Sequence, residues 1–181
     1  MALNSSNKSI GLDLSLTKTG VVILQKGKII YRGLIKSKPV GDKPKDELQR
    51  IVDISLAVAV LIDQYSPSVA IIENLAFMAK GTSLTQLAGL SYLVRSKLAQ
   101  KNIPFFLVAP TSLKKFVTGS GKGEKDAMMA FTLQRYGIMI PENNECDAFA
   151  LAKIGEILLK PDKSIPSFQK EVIELLKKQN G

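Results

Sequence analysis

The segment Ser9-Ile-Gly-Leu-Asp-Leu-Ser-Leu-Thr-Lys-Thr-Gly20 contains an acidic residue inside an apolar, β-rich run and ends in a turn rich in Ser and Thr. Two more β-rich runs follow over residues 20–25 and 28–36, and a Lys-Gly-Lys turn separates them. Tight turns between such runs join neighbouring antiparallel strands. The sequence therefore predicts a three-stranded antiparallel meander with Asp13 on its first strand.

The rest of the chain alternates between helical patterns and short apolar runs. Apolar residues at helical spacing predict helices, and short apolar runs predict strands that are buried on both faces. In chain order these elements are a helix over 48–62, a strand over 69–72, a helix over 84–98, a strand over 104–108, and helices over 124–136 and 144–160. Such alternation predicts an α/β fold whose sheet is covered on both sides.

The 181 residues are enough for one domain with a substantial core. Residues 1–8 are mostly polar and are predicted to form a flexible tail, so the domain is expected over 9–160. A break near Pro161 precedes residues 161–181, which show the pattern of an amphipathic C-terminal helix. That helix is expected either to pack back on the domain or to serve an interface.

Composition limits the chemistry. Lys and Arg number 25 against 16 Asp and Glu, a net charge of +9 that favours a polyanionic partner. The chain contains no His, which excludes imidazole general bases and histidine-based zinc sites. Its single Cys cannot form an internal disulfide, and no apolar stretch is long enough to span a bilayer. We expect a cytoplasmic protein with no membrane association.

Three acidic residues stand where hydrophobic elements end: Asp13, Glu73 in Ile-Ile-Glu-Asn, and Asp147 in Glu-Cys-Asp-Ala. Burying a lone carboxylate is costly, and oxygen ligands for a divalent metal are the usual compensation. If the three converge, two metal ions between them would support phosphodiester hydrolysis without histidine. For any one acid alone, a helix cap or a lysine partner is the favoured interpretation.

These motifs resemble the RuvC family of Holliday-junction resolvases, within the ribonuclease H-like nucleases. The resemblance covers roughly residues 8–160 and is carried by Gly11-Leu-Asp13, Ile71-Ile-Glu73, the segment 110–125 and Asn144-Glu-Cys-Asp147. It implies a mixed five-stranded sheet with helices on both faces and a homodimer that cuts four-way DNA by paired nicks. It also implies Mg²⁺ as cofactor, with Mn²⁺ as a substitute, and Asp13, Glu73 and Asp147 as catalytic metal ligands.

Two positions depart from the family pattern. The family usually has a fourth acid where this chain has Asn144, which becomes a weak metal ligand or a water-positioning residue. Glu145 is either the substitute acid or an exposed residue of the first helical turn, where the helix dipole favours it. The family also carries an aromatic wedge at the place of Ala76. Here Phe77 or Met78 could replace it in contacting DNA, although Phe77 could equally be a core residue.

Four lysines surround the glycine-rich stretch Gly119-Ser-Gly-Lys-Gly: Lys114, Lys115, Lys122 and Lys125. Beside a nuclease centre they would bind the DNA backbone without reading its sequence. Lys122 could also stabilise the charge that develops on the phosphorus centre during cleavage. The alternative is a solvated loop between two helices.

Other function classes share parts of this pattern. An ATPase of the actin and sugar-kinase type begins with a similar turn, but it needs two such lobes and this chain supplies one. A branched-DNA-binding module with impaired catalysis is favoured by Asn144 and opposed by the three retained acids. An RNA-processing ribonuclease H-like nuclease would use the same metal site.

Overall fold

Five strands form one mixed sheet in the computed structural model, which describes residues 7–75, 82–121, 125–162 and 164–179. The strands are β1 (Lys8–Asp13), β2 (Lys18–Gln25), β3 (Lys28–Lys36), β4 (Val69–Glu73) and β5 (Phe105–Val108), in the order β3-β2-β1-β4-β5. The first three are antiparallel neighbours, whereas β4 and β5 continue the sheet in parallel with β1. The predicted meander and the predicted mixed sheet are both confirmed.

The described ranges contain six helices beside the sheet: α1 (Pro44–Tyr65), α2 (Thr82–Gln100), α3 (Pro110–Thr118), α4 (Lys125–Tyr136), α5 (Asn143–Leu159) and α6 (Ser167–Gln179). Apolar side chains alternate along the strands, so each face of the sheet has its own core. Ile10, Leu12 and Ile72 pack with residues of α1 and α2 on one face. Val22 and Ile71 pack on the other face with residues from α3, α4, α5 and α6. Within the described residues, no helix combines the length and apolarity needed to cross a bilayer.

Helix α5 lies unusually close to the sheet because the strands beneath it present very small residues. A Cβ atom added to Gly11 would lie 2.0 Å from the Ala148 carbonyl oxygen, and one added to Gly20 would lie 2.0 Å from that of Asn144. The Ser9 hydroxyl donates a hydrogen bond of 2.8 Å to the Ala152 carbonyl. These contacts fix α5 across the centre of the sheet, with its first turn over the end of β1.

Helix α3 was not predicted, although its sequence carries usable signals. Pro110 is at its first position, and Gly119 follows its last residue with a positive φ of 82°. This arrangement of Pro and Gly is typical of helix ends. The three buried side chains of α3 are Leu113, Phe116 and Val117, which is the i, i+3, i+4 spacing of a helix face. The helix has only nine residues, so its apolar periodicity is too short to stand out from the neighbouring loop residues.

The structure bears on the predicted N-terminal tail and on the predicted C-terminal helix. Strand β1 begins at Lys8, one residue inside the predicted tail, and the Lys8 ammonium donates a hydrogen bond of 2.8 Å to the Tyr65 carbonyl. Residues 1–6 lie outside the described residues. The C-terminal helix packs back on the domain: its buried residues Val172, Ile173 and Leu176 join the core on the α5 face.

Candidate active site

Strand register brings the first two predicted acids together. In the parallel pairing of β1 with β4, Leu12 lies opposite Ile72, and each strand ends one residue later, at Asp13 and Glu73. Both acids lie on the face covered by α5, because Gly11 and Ile71, two residues earlier, contact that side. Asp13 is buried, with 7% of its surface exposed, and Glu73 is half-buried. The side chains are close enough to hydrogen-bond.

The first turns of α5 add the other two predicted ligands. The Asn144 side-chain amide donates a hydrogen bond of 2.8 Å to Asp13 Oδ2. The charge of Asp147 also acts on Asp13. A separation of three residues along a helix keeps Asn144 and Asp147 on one side of α5. The structure therefore brings Asp13, Glu73 and Asn144 together, with Asp147 on the same side of α5 as Asn144.

This arrangement strongly perturbs Asp13. Its pKa rises from 3.8 to about 9, first because burial removes the carboxylate from water, then because Glu73 and Asp147 repel its charge. The hydrogen bond to Glu73 raises the pKa further, whereas the Asn144 amide lowers it. Burial and the charges of the neighbouring carboxylates thus favour the protonated form of Asp13. A carboxylate held in this way is typical of a functional centre.

The turn after Asp13 is stabilised by hydroxyl groups. The Thr19 hydroxyl donates a bond of 2.7 Å to the Ser15 carbonyl and accepts one of 3.0 Å from the Ser15 amide. The Ser15 hydroxyl accepts a bond of 3.3 Å from the Thr17 amide. These bonds account for the Ser and Thr residues of the opening motif, because they hold the connection between the strand with Asp13 and the strand with Gly20.

The other acids of this region have cationic partners outside the cluster. The Glu145 carboxylate lies 3.3 Å from Arg32 Nε on β3, and its side chain is only 13% exposed. Glu142 pairs with Lys18 of β2 at 3.2 Å. Glu145 is therefore neither brought into the Asp13 cluster nor an exposed first-turn residue, since its side chain lies between α5 and the edge strand.

The predicted DNA contacts are only partly described. Lys114 and Lys115 lie half-buried on α3, which directly follows β5 at the same end of the sheet as Asp13. Lys115 pairs with Glu171 of α6 at 2.6 Å. Lys122, Phe77 and Met78 lie outside the described residues. Lys125 is the first residue of α4, but its side chain is likewise outside them.

The donor set suits a hard divalent cation. Three carboxylates and an amide oxygen are ligands that Mg²⁺, Mn²⁺ and Ca²⁺ prefer, and the negative charges of Glu73 and Asp147 help to raise the pKa of Asp13. In the described part of the chain no three acidic or thiol side chains form a preassembled metal site. A bound cation would offset the repulsion that Glu73 and Asp147 exert on Asp13.

Several residues that shape the site were not singled out from the sequence. Gly11 and Gly20 set the position of α5, Arg32 holds Glu145, and Thr19 fixes the turn after Asp13. The Thr-Gly pair that ends the opening motif was a signal for Thr19 and Gly20. Nothing local marks Arg32, since its contact depends on how α5 crosses β3.

Comparison with known proteins gives one consistent family. The family model for crossover junction endodeoxyribonuclease RuvC matches residues 9–154. A RuvC from Corynebacterium diphtheriae is 28% identical over 151 residues, covering 79% of this chain and 90% of the relative. The structure of Thermus thermophilus RuvC in complex with Holliday junction substrate has a TM-score of 0.68 at 17% identity, covering 80% of this chain and 90% of the other. The yeast mitochondrial Holliday junction resolvase Ydc2 has a TM-score of 0.59 at 13% identity, and the match covers 98% of this chain and 86% of Ydc2. These structural likenesses confirm the ribonuclease H-like fold predicted from the sequence.

Proposed function

The chain belongs to the RuvC family of crossover junction endodeoxyribonucleases, and on that premise we propose that it is a structure-selective DNA endonuclease that resolves four-way junctions by paired nicks. The observation that carries this proposal is the buried Asp13 carboxyl, whose neighbours Glu73, Asp147 and Asn144 meet it at one end of the sheet. The net charge of +9 favours the polyanionic substrate.

The cofactor in this proposal is Mg²⁺, with Mn²⁺ as a substitute, held by Asp13, Glu73, Asp147 and Asn144. When bound, such ions lower the pKa of water and stabilise negative charge on a phosphodiester. Rotation of the Asn144 amide would turn its oxygen, now pointing away from Asp13, toward a cation. We assign the fourth ligand to Asn144 and not to Glu145, because Arg32 already neutralises Glu145.

The chain's own groups position the substrate. Lys114 and Lys115 follow β5 at the Asp13 end of the sheet, where their charges would hold the DNA backbone beside the carboxylates. These contacts supply affinity for any DNA, so junction selectivity must come from the shape of the bound complex. A role for Lys122 in charge stabilisation, and for Phe77 or Met78 as a wedge, remains a prediction from the sequence.

Cleavage of a labelled four-way junction, beside a linear duplex of the same sequence, tests the proposed function. We expect paired nicks in the junction with Mg²⁺ or Mn²⁺, none in EDTA, and little cutting of the duplex. Tight junction binding without cutting under any divalent cation would favour the binding-module alternative. Preferential cutting of an RNA-containing substrate would favour an RNA-processing nuclease.

A homodimer is part of the proposed function, because paired nicks need two active sites. The exposed apolar residues Leu48, Leu56 and Val60 lie at spacings of eight and four along the outer side of α1, and the exposed Tyr92 lies on neighbouring α2. This surface matches the aromatic and apolar composition of interface cores.

Val60→Glu is expected to convert the dimer into a monomer, since it would bury a charge in the interface. Light scattering measures the mass, and Asp63→Asn, a change at another exposed position on α1, serves as the control. A wild-type protein that is monomeric at all concentrations would contradict the dimer.

A further inference from the structure

Helix α6 contacts the element that carries the candidate DNA-binding lysines. The family match ends at residue 154, so α6 lies outside it. Its residues Val172, Ile173 and Leu176 share a core with Leu113 and Phe116 of α3. The helix therefore packs on α3, next to the Lys114 and Lys115 positions.

The strongest link is a buried amide. Gln169 is only 3% exposed, and its side-chain nitrogen donates bonds of 2.9 Å to the Phe116 carbonyl and 3.0 Å to the Tyr136 hydroxyl. Phe116 lies among the last four residues of α3, whose carbonyls have no partner within the helix. Both amide hydrogens of Gln169 are thus used, one on the end of α3 and one on α4.

A second link holds the turn that follows α3. The Phe168 ring lies 3.7 Å from the position a Cβ atom would take on Gly119, and the Arg135 guanidinium lies 4.9 Å from the ring centroid. The single hydrogen of the Thr118 hydroxyl is shared between two acceptors, the Lys114 and Ser120 carbonyls, at 3.0 and 2.8 Å. These contacts hold the end of α3 and the turn after it, with α6 packed against them.

A third link engages a candidate DNA-binding side chain directly. Lys115 forms an ion pair of 2.6 Å with Glu171, and the two side chains are 39% and 62% exposed. A phosphate group would compete with Glu171 for the same ammonium group. The pair restrains the lysine and also lowers its attraction for any DNA backbone.

From these links we propose that α6 positions the lysine-bearing end of α3 on the DNA backbone, with Gln169 as a positioning residue and Glu171 as a restraint on Lys115. This inference rests on the proposed function, because it assigns to α6 the phosphate contacts of a junction-binding nuclease. Its effect is on the binding of DNA and not on the chemistry at Asp13.

Gln169→Ala tests the positioning role. We expect the Kd for a four-way junction to rise about 10-fold and the salt dependence of binding to become shallower, because phosphate contacts are lost. The rate at saturating junction should stay within about twofold of wild type, since the reacting groups are untouched. A merely stabilising role would lower the unfolding temperature and leave affinity and salt dependence unchanged in the folded variant.

Glu171→Gln tests the restraint with no risk to folding, since the pair is exposed. Release of Lys115 should tighten binding of linear duplex about threefold, steepen the slope of log Kd against log salt by about one unit, and reduce the preference for junction. Glu174→Gln is the matched control: Glu174 lies on the same helix, is also 62% exposed, and pairs with Lys177 instead of α3.

The outcomes separate this inference from the function on which it rests. Glu171→Gln binding that equals Glu174→Gln in affinity and salt slope would overturn the restraint on Lys115, and a folded Gln169→Ala protein with wild-type affinity and salt slope would overturn the positioning role of α6. A wild-type protein that does not prefer junction over duplex would overturn the proposed function instead.

Discussion

Replacing Asp13 by Asn is expected to lower the rate of junction cleavage by at least about 10³-fold, because Asp13 would hold the catalytic metal and the loss of such a ligand costs several kcal/mol in catalysis. The same change should stabilise the metal-free protein. Asp13 is buried beside Glu73 and Asp147, and those surroundings raise its pKa to about 9. Asn is nearly the same size and carries no charge, so it removes the repulsion while leaving the packing intact.

The pH dependence of this stabilisation follows from the direction of the pKa shift. A group whose pKa is higher in the folded state contributes stability below its unfolded pKa and loses it as pH rises through the folded pKa. For Asp13 that window runs from 3.8 to about 9. The stability of Asp13→Asn relative to wild type should therefore grow from acidic to alkaline pH. At pH 7 we expect the thermal unfolding midpoint of Asp13→Asn to lie at least about 4 °C above that of the wild type. In a chain of this size, such a rise needs an increase of only about 1–2 kcal/mol in the free energy of unfolding.

Thermal unfolding in EDTA at several pH values, followed by Mg²⁺ addition, measures both effects. Mg²⁺ should stabilise the wild type, because it binds the folded cluster, and should have much less effect on Asp13→Asn. Asp63→Asn is the control, since Asp63 is an exposed partner of Lys101 and should show neither effect. An Asp13→Asn protein that loses cleavage but is less stable than wild type throughout this pH range would contradict the repulsion at Asp13.

The features predicted correctly from the sequence are those that depend on local residue patterns, such as strands, tight turns and helical spacing. The meander and the positions of Asp13 and Glu73 near the ends of apolar runs follow from alternation and turn residues, whereas the parallel pairing of β1 with β4 is a result of the tertiary structure. The Asn144 and Asp147 pair follows from helical spacing. Its placement over Asp13 was also implied by the family resemblance, which supplied the pairing of motifs that periodicity alone does not give.

Contacts that depend on how one helix or strand crosses another could not be predicted from the sequence. Glu145 faces Arg32 because α5 crosses the sheet at an angle that brings its first turns over β3 as well as β1. The Lys115 contact with Glu171 depends on the packing of α6 on α3, which are separated by two other helices in the chain. In each case a charged residue has several possible partners, and only the tertiary arrangement selects one.

The glycines beneath α5 determine that crossing. Gly20 lies opposite Asp13 in the pairing of β1 with β2. A Cβ atom there would lie 2.0 Å from the Asn144 carbonyl oxygen, 2.5 Å from its carbon and 3.1 Å from the Glu145 nitrogen, all of them backbone atoms. Backbone cannot rotate away as a side chain can, so a larger residue must push the first turn of α5 off the sheet.

Gly20→Ala is therefore expected to damage both stability and activity. Overpacking of this kind costs about 1–3 kcal/mol, and a shift of about 1 Å in Asn144 and Asp147 would reduce cleavage about 100-fold. Unfolding in denaturant and cleavage at saturating junction, measured where the variant is fully folded, separate the two losses. Gly33→Ala on β3 is the matched control, because the nearest atoms to its added Cβ, at 2.9 and 3.3 Å, belong to the movable phenol of Tyr31. If Gly20→Ala matched Gly33→Ala in stability and rate, close packing of α5 could not be what places Asn144 and Asp147 at Asp13.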